Sequence, residues 1–234
     1  MNIPGNSRTI FCIMSVLALA LWCGAGCQST AYKKSDAAAN SLERAAAEVQ
    51  AETREIDVTL EALNDLVTNP APDLKPQFVR FNTALDRLTA SAQQTDATRL
   101  RMEQKSTEYF TAWDQQVPAI NFGVIRERSE ARRAEVTNHF YSVNSRYLDA
   151  QAVVWPLINY FKDIRKALSV DLTSAGLASV KDIVNNAGQN TRKVQLALAQ
   201  LTNELKMSSA QLSSVTPRSP SPLPLETTAS ASSE

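Results

Sequence analysis

Cysteine is absent after position 27: the three in the chain, Cys12, Cys23 and Cys27, all lie near the N-terminus. The body therefore has neither a disulfide framework nor a thiolate metal site. A single histidine, His139, argues against transition-metal chemistry, so no metal or cofactor is expected, although carboxylate sites for hard cations are left open. Glycine is scarce, with six in 234 residues, and no Gly-rich phosphate loop, HExxH pair or nucleophile elbow is present. Catalysis by His139 would need a nucleophile and an orienting carboxylate brought to it in space. It reads instead as a half-exposed structural histidine, and the chain as not an enzyme. An excess of one charge is missing too: Lys+Arg and Asp+Glu number 24 each. No net basic excess is present to draw in nucleic acid or anionic lipid. The charges interleave, as in Arg126, Glu127, Arg128, Glu130, Arg132, Arg133 and Glu135, which suits solvated helix faces.

Long apolar runs are equally rare. The one from Ile10 to Cys23 is shorter than the ~20 residues a spanning helix needs. Preceded by Arg8 and followed by small residues, it reads as a secretory signal segment over residues 1–26. Gly24-Ala25-Gly26-Cys27 resembles the lipobox of bacterial lipoproteins, departing from it at Gly24, where an aliphatic residue is usual. That resemblance makes Cys27 the lipid attachment site, with acyl chains holding the protein on a membrane. Gln28 follows rather than the Asp that retains enteric lipoproteins in the inner membrane. By that analogy the expected location is the periplasmic face of the outer membrane, with the periplasm or inner membrane as alternatives.

What the chain has in quantity is helical period. Residues 27–34 form a polar tether and residues 35–215 the domain. The first helix spans Ser35 to Val67, with Leu42, Val49, Ile56 and Leu63 on one row and Ala46, Thr53, Leu60 and Val67 on a second. Its alanine-rich start is expected to pack thinly and fray. Asn69-Pro70-Ala71-Pro72 ends it. The second helix opens at Asp73 or Leu74 with Pro76 in its first turn. Its seam from Phe78 to Trp113 is interrupted by Arg99 and Ser106, which mark either a slight rotation of the helix or a wet pocket. Val117 to Gly123 is a turn, or else a kink in one very long helix.

The third helix, from about Val124 to Val170, carries the cleanest period. Val136, Phe140, Val143, Tyr147, Ala150, Val154, Leu157, Phe161, Ile164 and Leu168 form an unbroken heptad seam. Pro156 inside it is expected to kink the helix without ending it. A last helix carries Leu177, Val180, Val184, Ala187, Thr191, Val194, Leu198, Leu201, Leu205 and Leu212. Residues 216–234, rich in Pro, Ser and Thr, read as a disordered tail. The fold class is all-α: an elongated antiparallel helical bundle or coiled coil of about four long helices.

Aromatic residues lie mostly on or beside the seams and read as core. The sharper expectation is that Tyr109, Trp113, Arg126, Ser129 and Arg133 meet across the Pro118 turn as an anion or peptide pocket at one bundle end. Tyr109-Phe110 with Trp113, Ile125-Arg126 with Ser129 and Arg132/Arg133, Tyr141, Val143, Val154, Pro156-Leu157, Lys162-Asp163 and the Asp171-to-Leu177 segment are together similar to an uncharacterised family of bacterial predicted lipoproteins, a domain of unknown function. The similarity covers roughly Ala37 to Ser214. It implies an exported helical protein and carries over no catalytic residue.

The expected function is that of a non-enzymatic, lipid-anchored envelope interaction or spacing module. Its partners are the membrane, through Cys27, and an envelope protein not named by the sequence; homo-oligomers stay open, since heptad seams can pair between chains. The alternatives are a bundle that binds a lipid or other small apolar ligand and, third, a hydrolase.

Overall fold

Pairs of proline and short polar clusters divide the helical sequence at three places, and the chain reverses at each. The computed structural model describes residues 30–214; the signal segment, Cys27 and the tail from residue 216 lie outside the described residues. Four α-helices follow in order: α1 Thr30–Thr68, α2 Lys75–Gln116, α3 Gly123–Val170 and α4 Ser174–Leu212, with a 3-10 turn at Val117–Ala119 between α2 and α3. There is no strand among the described residues. The all-α expectation holds, and Val117–Gly123 is a turn rather than a kink.

Each helix packs on its sequence neighbours, and α4 closes the square on α1. Pairs such as Arg80–Asp65, Arg133–Asp114 and Arg165–Asp86 run in opposite senses along adjoining helices. The result is an up-down-up-down bundle, with α1 diagonal to α3 and α2 diagonal to α4. The closest backbone approaches are those of α1 to α2 and α4. The reason is in its seam, where Ala38, Ala39, Ala45 and Ala46 are buried and let the neighbouring backbones come near. α3 lies farther from its neighbours, held off by Phe140, Tyr147 and Phe161. Burying such side chains contributes roughly 1.5–3 kcal/mol each.

The start of α1 is better tied than its composition suggests. Ser35 Oγ donates to the Leu212 carbonyl at 2.9 Å, and Ser209 Oγ to the Ala39 carbonyl at 2.9 Å. Asp36 accepts from the Ser214 backbone N–H at 3.0 Å. The helix also begins at Thr30 rather than Ser35, so most of the expected tether is helical. Two corrections follow: the alanine-rich start is fastened to α4, not frayed, and residues 30–34 are not an extended linker.

The connections have local causes. Buried Gln77 ties the first loop, accepting from the Ala71 N–H at 2.9 Å and donating to the Asn69 carbonyl at 3.0 Å and to Asp65 at 3.0 Å. At the third, Thr173 caps α4, its Oγ1 accepting from the Gly176 N–H at 3.2 Å. A methyl group at Gly176 would lie 2.1 Å from the Asp171 carbonyl oxygen, so only glycine fits there. α3 runs unbroken through Pro156, which is exposed beside a groove that it lines with Tyr160 and, on α4, Asn190 and Lys193. Among the described residues, no helix is long and apolar enough to cross a membrane.

Candidate functional site

Two regions depart from simple heptad packing: the end of the bundle where α1 begins, and a polar layer at mid-height.

At the bundle end, the last turns of α2 bring Tyr109, Phe110 and Trp113 against the first turns of α3. The Tyr109 and Trp113 rings are 5.3 Å apart, Tyr109 and Phe110 5.6 Å, and Phe110 meets Phe140 edge-on at 5.5 Å. Trp113 Nε1 donates to Ser129 Oγ at 2.9 Å across the turn. A cleft of about 480 Å³ opens here, lined by Tyr32 and Ser35 of α1 with Tyr109, Trp113, Ile120 and Ser129. Burial raises the Tyr109 hydroxyl above its ordinary pKa, eased by Ser35 and by the charge of Arg132.

The anion pocket expected from the sequence is only partly assembled. Tyr109, Trp113 and Ser129 share the cleft. Arg133 lines a separate groove of about 470 Å³ between α2 and α3, with Met102, Phe110 and Phe140. Its guanidinium lies 5.5 Å from the Phe110 ring centre and donates to Asp114 Oδ2 at 2.7 Å, so its charge already has a counterion. Arg126 is exposed on the first turns of α3 and lines neither opening. The five residues therefore do not form one site: Arg126 shares a helix face with Ser129 and Arg133 but sits on the first turn of α3, about 10 Å along the axis from Arg133, and lines neither opening.

The polar layer is a feature that sequence reasoning does not find. The buried row of α1 runs Ala38, Leu42, Ala45, Val49, Glu52, Ile56, Thr59, Leu63 and Leu66, in unbroken alternation of four and three. The second row is thus three residues on from each leucine-type position, not four, and it contains Glu52. That side chain is 0% exposed, and neither carboxyl oxygen makes a hydrogen bond of ordinary geometry. Burial pushes its pKa up to about 7, with the nearby Thr95 hydroxyl partly offsetting this and the charge of Asp96 adding to it. Tyr147 of α3 stands at the same level, wholly buried with its hydroxyl unpartnered. Its pKa is driven above the usual tyrosine range by burial first and then by Glu52 and Asp96.

Arg99 lies at the edge of this layer, joining Glu103 at 2.6 Å and Asn144 of α3 at 3.3 Å. It is half-buried, whereas Thr95, Thr98 and Met102 are buried. α2 therefore turns Thr98 rather than Arg99 inward, as a slight rotation requires, while Ser106, its Oγ bonded to the Glu103 carbonyl at 2.8 Å, lines the 470 Å³ groove between α2 and α3. His139 faces Glu135 at 3.9 Å on the surface of α3. Among the described residues, no three His, Cys, Asp or Glu side chains are grouped to hold a metal ion.

The sequence model of one protein family matches residues 25–214. The chain belongs to that family, DUF2959, whose function is unknown. The DUF2959 match takes in all four helices and the whole of both regions above, and it reaches back to include Cys27, beyond the Ala37 boundary expected from the sequence. No curated relative and no solved structure matches the chain.

Proposed function

We propose that this chain is a non-enzymatic, lipid-anchored helical bundle of the bacterial envelope, standing on the periplasmic face of the outer membrane as an interaction or spacing module. The observation that carries the reading is the position of Cys27. The lipobox-like Gly24-Ala25-Gly26-Cys27 ends three residues before the first residue of α1, so anchor and bundle are joined almost directly. Supporting it, α3 alone is 48 residues long, roughly 70 Å at 1.5 Å per residue, a length suited to holding a partner away from a surface. Radiolabelled palmitate should be incorporated by the wild-type chain and lost in Cys27→Ser; equal labelling of the two would remove the anchor.

A second reading is favoured by the 480 Å³ cleft walled by Tyr32, Tyr109 and Trp113: a bundle that takes a lipid tail or other small apolar ligand. Native mass spectrometry of the purified protein should then show a bound mass that Trp113→Ala loses, and repeated clean spectra would count against it.

A further inference from the structure

Large apolar side chains are exposed at the end of the bundle where α1 begins. Phe122 is 74% exposed, and Val124 and Ile125 follow it on the first turn of α3; Tyr32 of α1 is exposed as well. The cleft lined jointly by Tyr32, Trp113 and Ile120 places α1's start beside this turn, so the four belong to one end surface. Lys33, Arg126 and Arg128 are exposed alongside them, interleaved with Glu127. An apolar tip rimmed by tyrosine and by cations has the composition of a surface seated at a lipid interface, where hydrocarbon takes the apolar groups, and headgroup phosphates take the charges.

Chain length decides the occupant. Cys27 precedes Thr30 by three residues, which can span at most about 11 Å even fully extended. An acyl chain on Cys27 would therefore bring this end, and not the opposite one, against the bilayer. We propose that the tip formed by Tyr32 and the Phe122–Ile125 turn is a membrane-interface site in its own right, entering the lipid surface while Lys33, Arg126 and Arg128 meet lipid phosphates. The proposal rests on the lipid-anchor reading and adds an orientation to it: the bundle stands upright on this end.

The test places a fluorescent label on the processed, full-length protein at Phe122→Cys and, as a comparison, at Val170→Cys, which is 90% exposed at the far end of α3. Both positions are exposed, so folding is retained, and circular dichroism checks this. The labelled proteins are reconstituted in phosphatidylethanolamine/phosphatidylglycerol vesicles carrying nitroxide-labelled acyl chains. The expected result is a blue shift and loss of emission at position 122, with the position 170 label unaffected. Equal, water-like emission at both positions would overturn the proposal while palmitate labelling left the anchor standing. A label at 122 shielded from iodide but not quenched by the nitroxide lipids would mean that a second copy or another protein covers the tip, and would overturn it equally. If palmitate fails to label Cys27, the anchor reading falls on its own, and quenching at 122 by added vesicles still decides whether the tip enters lipid.

Discussion

Glu52 is a carboxyl group placed where a leucine would pack, and its ionisation has a calculable effect. Folded, it titrates near 7; its ordinary value is 4.5. Between those values the folded chain keeps a proton that the unfolded chain has released. Its contribution is therefore least harmful below pH 4.5, and stability falls as pH rises toward 7 and levels off above. The full cost of ionising it is on the order of 3 kcal/mol. Glu52→Gln keeps the shape and removes the charge. Its unfolding free energy should exceed that of wild type at pH 8 by much of that amount and converge with it near pH 4.5, as read by denaturant titration at several pH values. A constant difference across the range would mean that Glu52 is not titrating in the fold. The same scale explains what the sequence could show of the bundle end. Tyr109, Trp113 and Ser129 could be placed together because they straddle one turn. Arg126 could not be excluded, because its three- and seven-residue spacing puts it on the face of Ser129 and Arg133; only the start of α3 at Gly123 shows that it stands on the first turn, outside both openings.

The helices with continuous apolar seams were legible and those with polar seam residues were not. Every seam residue expected for α3 and α4 is buried, because in both helices the four-three alternation is carried by apolar residues, with Thr191 the one hydroxyl residue among those that α4 was expected to bury. In α1 the true second row contains Glu52 and Thr59, so apolarity alone pointed to the neighbouring row of Ala46, Thr53, Leu60 and Val67; of these only Ala46 and Val67 are buried. In α2 the row passes through Thr98 in place of Arg99 for the same reason: polarity hid the helix's slight rotation. Two positions are open to improvement. A methyl added at Gly188 would meet nothing within 4 Å, so Gly188→Ala should stabilise α4 by ~1 kcal/mol, seen as a rise in Tm. Pro156 is exposed within a continuous helix, and Pro156→Ala restores the N–H that can bond the Ala152 carbonyl. It should raise stability by up to about 3 kcal/mol. A drop in Tm would instead show that the packing of α3 on α4 near Tyr160 depends on proline geometry.

At the scale of the whole molecule the bundle is closed by contacts between its two ends. Ser35 with Leu212 and Asp36 with Ser214 join residues that are neighbours in space and nearly the whole domain apart in sequence. Entry and exit of the chain therefore lie side by side, at the end that carries Phe122. This has a mechanical consequence. A pull applied between residues 27 and 214 loads the α1–α4 seam across its width, so that its layers separate in turn from the Ser35 end, like a zip. A pull between residues 27 and 72 acts along α1 and strains every layer of its seams with α2 and α4 at once. Optical-tweezers measurements with handles at those two pairs of sites should give a clearly lower rupture force for the first. Equal forces would mean that the seam does not open layer by layer. A bundle built this way yields readily to tension passed through its C-terminal segment and resists a load borne on its far loops.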